Sequence, residues 1–406
     1  MPSALPEGES APADGILPPS AAVGAETRSF GLYIHVPVCA VRCGYCDFNT
    51  YTATELEGVS HESYPAQAQA EMVFASRTLE NSGIPSRALS SVFLGGGTPT
   101  LLGPEPLEGM LLKASEVFGL SDDAEVTVEA NPDSVSAQDL HDLARAGVTR
   151  VSFGVQSVDP DVLRTLDRTH DPRRVPEVVR CARDAGLQVS LDLIYGTPGE
   201  TLESWSNTLQ SALMLEPDHI SAYALIVEKG TALAARISRG ELSAPDDDLH
   251  AEMYALADRV LEEAGYSWYE VSNWAAQPRY QSRHNLSYWN SEDWWGIGPG
   301  AHSHVGGVRW WNVKHPSAYA SRMAEGVSPA HAREVLGDHA MAMEHILLGI
   351  RLRSGLDAEV IPPEKRPLLA EWVSRGLLDG GNLLSGRVVP TLHGRLVADF
   401  LARELT

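Results

Sequence analysis

Three cysteines within eight residues, Cys39, Cys43 and Cys46, are the part of this sequence best equipped to do chemistry. In CAVRCGYC they are separated by three and then two residues. A zinc site would want a fourth Cys or His at similar spacing, and a redox dithiol would need only one CxxC. Neither accounts for three thiols. Three thiolates do suit a 4Fe-4S cluster with one iron left open, because such clusters are held by cysteine thiolates and an unligated iron takes an outside ligand. The fourth cysteine, Cys181, stands alone in VVRCARDAG and reads as a small core residue.

The elements that must position these thiols are visible in the apolar pattern. Six short runs, at 31–36, 90–95, 125–130, 150–155, 188–194 and 219–226, alternate with amphipathic stretches, as strands alternate with helices around a parallel sheet. Most of the runs read as nearly continuous apolar segments. Ser136 opens one helix and Gly147 closes it, and a second helix ends at Gly186. Six βα units imply a doubly wound sheet or a partial (β/α)6 barrel, and both place chemistry at the carboxyl ends of strands. The cysteines follow the first strand, GGGTP the second and Glu129 to Pro132 the third. Gln156 follows the fourth strand, and Asp192 with YGTPGE stands at the fifth. One shared site is expected there.

Around this α/β unit the chain changes texture. Residues 1–28 hold five prolines and no basic residue before Arg28, so a secretory signal is not expected and the segment reads as a disordered leader. The partial barrel is placed at 29–265, and a mixed α/β, aromatic-rich connecting segment at 266–330. Seven of the nine tryptophans fall between 266 and 311. Residues 331–406 read as a small winged-helix-like domain, with GLLDGGNLLSGRVVP forming a two-stranded wing. GIGPGAHS (296–303) superficially resembles a dinucleotide fingerprint, but it follows bulky EDWWG and opens no helix, so that context is absent.

Composition narrows the partners. The 406 residues carry 31 Lys and Arg against 54 Asp and Glu, a formal charge of -23, which argues against a nonspecific grip on nucleic acid or anionic lipid. Residues 335–406, most of that domain, carry eight basic and nine acidic groups, so a DNA-binding regulator is disfavoured. No apolar run approaches the roughly 18 residues of a membrane span. A cytoplasmic, reducing compartment is the default expectation.

YIHVPVCAVRCGYCDFNT resembles the cluster loop of the radical S-adenosylmethionine superfamily, and within it the group of oxygen-independent coproporphyrinogen III oxidases and HemW-type haem chaperones. The resemblance continues through GGGTPT, VEANPD, SFGVQS, DLIYGTPGE and HNLSYW, and so covers nearly everything after residue 30. It implies that Cys39, Cys43 and Cys46 ligate a 4Fe-4S cluster whose open iron is chelated by S-adenosylmethionine. In that superfamily an electron from the reduced cluster cleaves the sulfonium to methionine and a 5'-deoxyadenosyl radical. The resemblance also implies that Gly96, Gly97, Thr98, Glu129, Gln156, Arg168 and Asp192 hold the cosubstrate. Arg168 is matched to its carboxylate, Tyr33 lies beside it, and 296–303 forms a backbone wall near the adenosyl group.

Two features separate oxidase from chaperone. The oxidase pattern continues CxxxCxxCxC, whereas Asp47 and Phe48 follow Cys46 here. HNLSYW matches an HNxxYW pattern associated with the chaperones and with haem binding, making His284 a candidate haem ligand, with His302 and His304 as rivals. The expected function is therefore haem binding and delivery to an acceptor protein, with a reductant serving the cluster. The alternative is an enzyme, a coproporphyrinogen III dehydrogenase that decarboxylates propionates by radical chemistry in porphyrin biosynthesis.

Overall fold

The computed structural model describes residues 5–52 and 61–406. All six expected strands form: β1 (Phe30–Val36), β2 (Leu89–Gly96), β3 (Leu120–Ala130), β4 (Arg150–Gln156), β5 (Gln188–Tyr195) and β6 (His219–Ala224). Each pairs in parallel with the next. The crossovers run through helices α1 (Tyr64–Asn81), α2 (Pro104–Phe118), α3 (Ala137–Arg145), α4 (Pro160–Thr165) and α5 (Val175–Asp184), and α6 (Leu202–Leu213) follows β5. Ser136 starts α3 with a reciprocal capping box to Asp139, and Gly147 follows its end with φ at +96°. β1 and β6 do not pair with each other, so the parallel sheet is open.

These strands are less uniformly apolar than expected. One face carries Val126, Val128, Val151, Phe153, Val189, Leu191 and Ile220, all buried in the main core. The residues between them, Thr127, Glu129, Ser152, Gln156, Ser190, Asp192 and Ser221, all line a cavity. Period-two alternation therefore puts an apolar face into the core and a polar face toward a binding space.

The aromatic-rich segment joins the same sheet instead of merely connecting two units. After α7 (Ala232–Ser238) and α8 (Asp247–Glu263), β7 (Ser267–Glu270) and β8 (Asn273–Ala275) extend the sheet beyond β6. Then α9 (Arg283–Trp289) leads to β9 (Asp293–Ile297), which pairs in parallel with β1. β10 (His302–Val305), β11 (Val308–Asn312) and, after α10 (Pro316–Glu325), β12 (Ala330–Val335) complete a twelve-stranded mixed sheet. GIGPGAHS does follow a strand, β9, but it runs into β10 and not into a helix.

Residues 5–28 are not a disordered leader; residues 1–4 of that expectation lie outside the described residues. Glu9 and Arg333 exchange backbone hydrogen bonds at 2.9 Å, adding the segment to the β12 edge. Leu17, Ala21 and Ala25 are buried in the main core. Burial of these apolar residues outweighs the composition that suggested disorder.

The last segment has its own apolar cluster of Ile346, Ile350, Leu356, Trp372, Val388 and Leu401, beginning on α11 (Asp338–Gly349). The expected two-stranded wing in GLLDGGNLLSGRVVP is reduced to an antiparallel bridge between Leu378 and Pro390. Gly380–Leu384 is helical, and Arg387–Val388 pairs with Leu356–Asp357, so the two-stranded element joins distant residues. Arg395 ties this segment to the main unit by an ion pair with buried Asp258 and by stacking over Trp268 at 4.2 Å.

Candidate functional site

At the carboxyl ends of β1 to β6 lies a cavity of about 810 Å³. It is lined by Tyr33, Cys39, Cys43, Cys46, Gly96, Gly97, Thr98, Glu129, Gln156, Arg168, Asp192 and His284. These candidate residues thus meet in one place, although 251 positions separate Tyr33 from His284 in the chain, while the rival histidines His302 and His304 line a second cavity.

Parallel pairing of β1 and β2 brings the cysteine loop against the glycine loop. Val36 is in register with Gly96, Gly97 N donates to the Val36 carbonyl at 2.8 Å, and Thr98 N donates to the Val38 carbonyl at 2.7 Å. A Cβ on Gly97 would stand 2.3 Å from the Val38 oxygen, so only glycine permits this approach. The cysteine loop is tied on its other side too: Gly44 N donates to the Leu166 carbonyl at 3.0 Å, and Leu233 N to the Gly44 carbonyl at 2.8 Å.

All four cysteines of the chain are free thiols. Burial pushes Cys39 above the usual thiol range and Cys46 up to about 11, so both are neutral until a metal draws off their protons. Among the described residues, no three His, Cys, Asp or Glu side chains converge on a single ion-sized point. Three thiolates binding different irons of one cluster need not do so. The surroundings fit a cluster with an amino-acid ligand: the thiols and the side-chain-free Gly96 and Gly97 line one cavity, and the Thr127 hydroxyl in its lining is buried without a partner among the described residues.

Glu129 accepts a hydrogen bond from Gly96 N at 3.0 Å. Burial, and then the nearby charge of Asp192, raise its carboxyl to about 8, so it awaits a cation. Asp192 is also raised by burial, opposed by a hydrogen bond from the Ser152 hydroxyl at 2.8 Å. Gln156 sits at a register shift between β4 and β5 with φ at +64°, a left-handed conformation that re-aims the side chain at a strand end. Arg168 donates to the Gly154 carbonyl at 2.7 Å and to His170 Nδ1 at 3.1 Å, and reaches within 3.6 Å of the Cys43 sulfur. It is a cavity residue and not part of a surface ion pair. Tyr33 shares a hydrogen bond with His35 at 2.9 Å, and burial raises its phenol well above the ordinary value.

Two of the expected features are placed differently from the rest of the site. His284 is only 2% exposed and has both ring nitrogens engaged, Nδ1 with the Ser91 hydroxyl at 3.0 Å and Nε2 with the Tyr288 hydroxyl at 2.7 Å. Its ring stacks on Phe93 at 5.1 Å, and burial lowers its basicity to about 3. As placed, it offers no lone pair to haem iron. Residues 296–303 do not wall this cavity either. Gly300, Ala301 and His302 line a second cavity of about 670 Å³, which shares Tyr33, Asp47, Phe48 and Tyr288 with the first.

Sequence reasoning missed the pair that seats α9. Glu125, at the start of the buried part of β3, accepts from Arg283 N and His284 N, both at 3.1 Å, and pairs with Arg150 at 2.9 Å. An acid and an arginine opening adjacent apolar strands were the available signal.

Residues 33–212 match the Radical SAM superfamily. The chain is 47% identical over 379 residues to heme chaperone HemW of Mycobacterium tuberculosis, covering 93% of this chain and 95% of that one. It is 37% identical over 326 residues to heme chaperone HemW of Bacillus subtilis, covering 80% and 84%. Among solved structures, the Escherichia coli radical SAM enzyme coproporphyrinogen III oxidase (HemN) shares the fold, with a TM-score of 0.79 at 23% identity over 95% of this chain and 92% of that one. A 4Fe-4S cluster and S-adenosylmethionine are what the superfamily implies. No helix among the described residues is long and apolar enough to cross a membrane. With the cysteine and glycine loops meeting over one cavity, and likeness running through 95% of one bacterial relative and 84% of another, this chain belongs to the HemW family of the radical SAM superfamily.

Proposed function

We propose that this protein binds haem and passes it to an acceptor protein, using the first cavity for a 4Fe-4S cluster and S-adenosylmethionine. The observation that carries this reading is the full-length likeness to relatives named heme chaperone, at 47% identity over 95% of one of them. Asp47 and Phe48 support it. They occupy the place of the oxidase pattern's further cysteine, and here they stand in the wall between two cavities.

Cys39, Cys43 and Cys46 would hold the cluster. Glu129 and the Gly96–Thr98 loop would receive the cosubstrate's amino group, and Arg168, with a flat fork of donors beside Cys43, would receive its carboxylate. Gln156, Asp192 and Tyr33 complete the wall. When bound, the cluster supplies a one-electron reductant to the sulfonium. The chain's own part is to orient these groups and hold Glu129 ready to ionise against an amine. Four free thiols accord with a cytoplasmic, reducing compartment and an external reductant for the cluster.

The test is anaerobic. Hemin-loaded protein is expected to give up its haem to a haem-free acceptor protein, while coproporphyrinogen III with S-adenosylmethionine and reductant shows negligible decarboxylation. Robust decarboxylation without haem transfer would reverse the reading in favour of the oxidase.

A further inference from the structure

The cargo needs a ligand for its iron, and the hydrogen bonds of the histidines single one out. Five histidines line the two cavities. His219 is held at both ring nitrogens by Ser190 and Tyr269, and His284 by Ser91 and Tyr288. His35 is held by Tyr33 and the Asn49 carbonyl, and His304 by the Glu292 carbonyl and Gly307 N. His302 is the exception: it is exposed at the start of β10 on the lining of the second cavity, its ring stacks on Trp311 at 5.9 Å, and neither nitrogen has a hydrogen-bond partner among the described residues.

The space beside it suits a flat, mostly apolar dicarboxylate. The second cavity, about 670 Å³, is of the size ordinary cofactor sites have. Phe48, Tyr288 and Trp294 give it aromatic surface, and Leu348 of α11 closes one side. Trp294 packs edge-on against Tyr288 at 4.5 Å, so this surface is stiff. Lys314 and Arg309 bring positive charge to the lining, and Asp47 and Glu344 negative. Arg309 is paired with Glu334 and Glu344, which leaves the Lys314 ammonium as the cation for a propionate. Crowding by the walls, with Lys314 and Arg309 nearby, keeps the His302 imidazole below its ordinary basicity, and the neutral ring is the ligating form.

We propose that haem docks in this second cavity with an imidazole nitrogen of His302 on its iron. This rests on the haem-carrier reading and adds the site to it. The cargo would then lie across a wall shared with the cluster cavity, in contact with Tyr288 of HNLSYW although not ligated by His284.

The test is hemin titration of the full chain, read in the Soret band, for the native protein, for His302→Gly, and for His302→Gly with added imidazole. Cluster loading of the variant, measured in parallel, reports its folding. The expected result is a saturable change in the native protein, at least tenfold weaker binding in the variant, and recovery of the native band with imidazole. Equal affinity in the native protein and the variant, or a loss that imidazole does not restore, would overturn His302 as ligand. Absence of saturable binding in the native protein would instead overturn the haem-carrier reading itself.

Discussion

One guanidinium nitrogen of Arg168 stands 3.6 Å from the sulfur of Cys43, while another holds the Gly154 carbonyl of β4 at 2.7 Å. A cation fixed to the sheet thus faces the middle thiol of the loop. Anaerobically reconstituted native protein is expected to hold about four irons per chain, and Cys43→Ala to lose most of them, as measured by iron and sulfide analysis. Normal loading in the variant would remove Cys43 from the ligand set.

The close approach of the glycine and cysteine loops has a mechanical consequence. Gly97→Ala places a methyl 2.3 Å from the Val38 carbonyl and must push the cysteine loop away. The expected cost is about 1–3 kcal/mol of stability, as for other overpacked positions, together with reduced cluster loading. Gly337→Ala, where a Cβ meets nothing within 4 Å, is the control and should leave loading unchanged. Equal loading in the two variants would contradict the packing argument.

Glu129 should leave a signature in the pH dependence of the metal-free protein. Its folded-state value is about 8 against an ordinary 4.5. Between those limits the folded chain holds a proton that the unfolded chain has lost, so stability falls as pH rises through this window. Glu129→Gln removes that slope. The melting temperature of the variant should gain on that of the native protein from pH 5 to pH 8, while its S-adenosylmethionine affinity drops by about tenfold or more, the usual worth of a hydrogen bond to a charged group. Parallel pH profiles for the two proteins would refute the assignment.

Glu125 presents a different case, a buried charge that serves geometry. It pairs with Arg150 and accepts from the first two backbone amides of α9, and so sets the position of the HNLSYW helix. Glu125→Ala leaves Arg150 buried without its partner and should cost about 3–5 kcal/mol in a denaturant titration. A loss below 1 kcal/mol would mean that solvent reaches Arg150 readily.

Much of the fold and the site was legible in the sequence because both are local in character. Each of the six strands is a short apolar run closed by a turn, and the thiol and glycine motifs are contiguous residues directly after β1 and β2. The alternation of polar and apolar residues in EVTVEA, RVSFGV and QVSLDLI was also present, and it is this alternation that lines the cavity with Glu129, Ser152 and Asp192. The leader was harder to read. Its prolines and acids suggest disorder, and only the docking of Leu17, Ala21 and Ala25 onto a distant core overrides that composition.

By itself, then, the sequence determined the chemistry on offer: three thiols suited to an open-sited cluster, a glycine loop, and carboxylates at or near strand ends. Tertiary structure alone decided which of the five cavity histidines has no hydrogen-bond partner at its ring nitrogens among the described residues. A histidine's capacity to ligate depends on what its two nitrogens already touch. Those partners come from other strands and helices: Ser91 of β2 for His284, and the Glu292 carbonyl and Gly307 amide for His304. A motif can name a histidine, but only the packed chain shows whether its lone pair is spent.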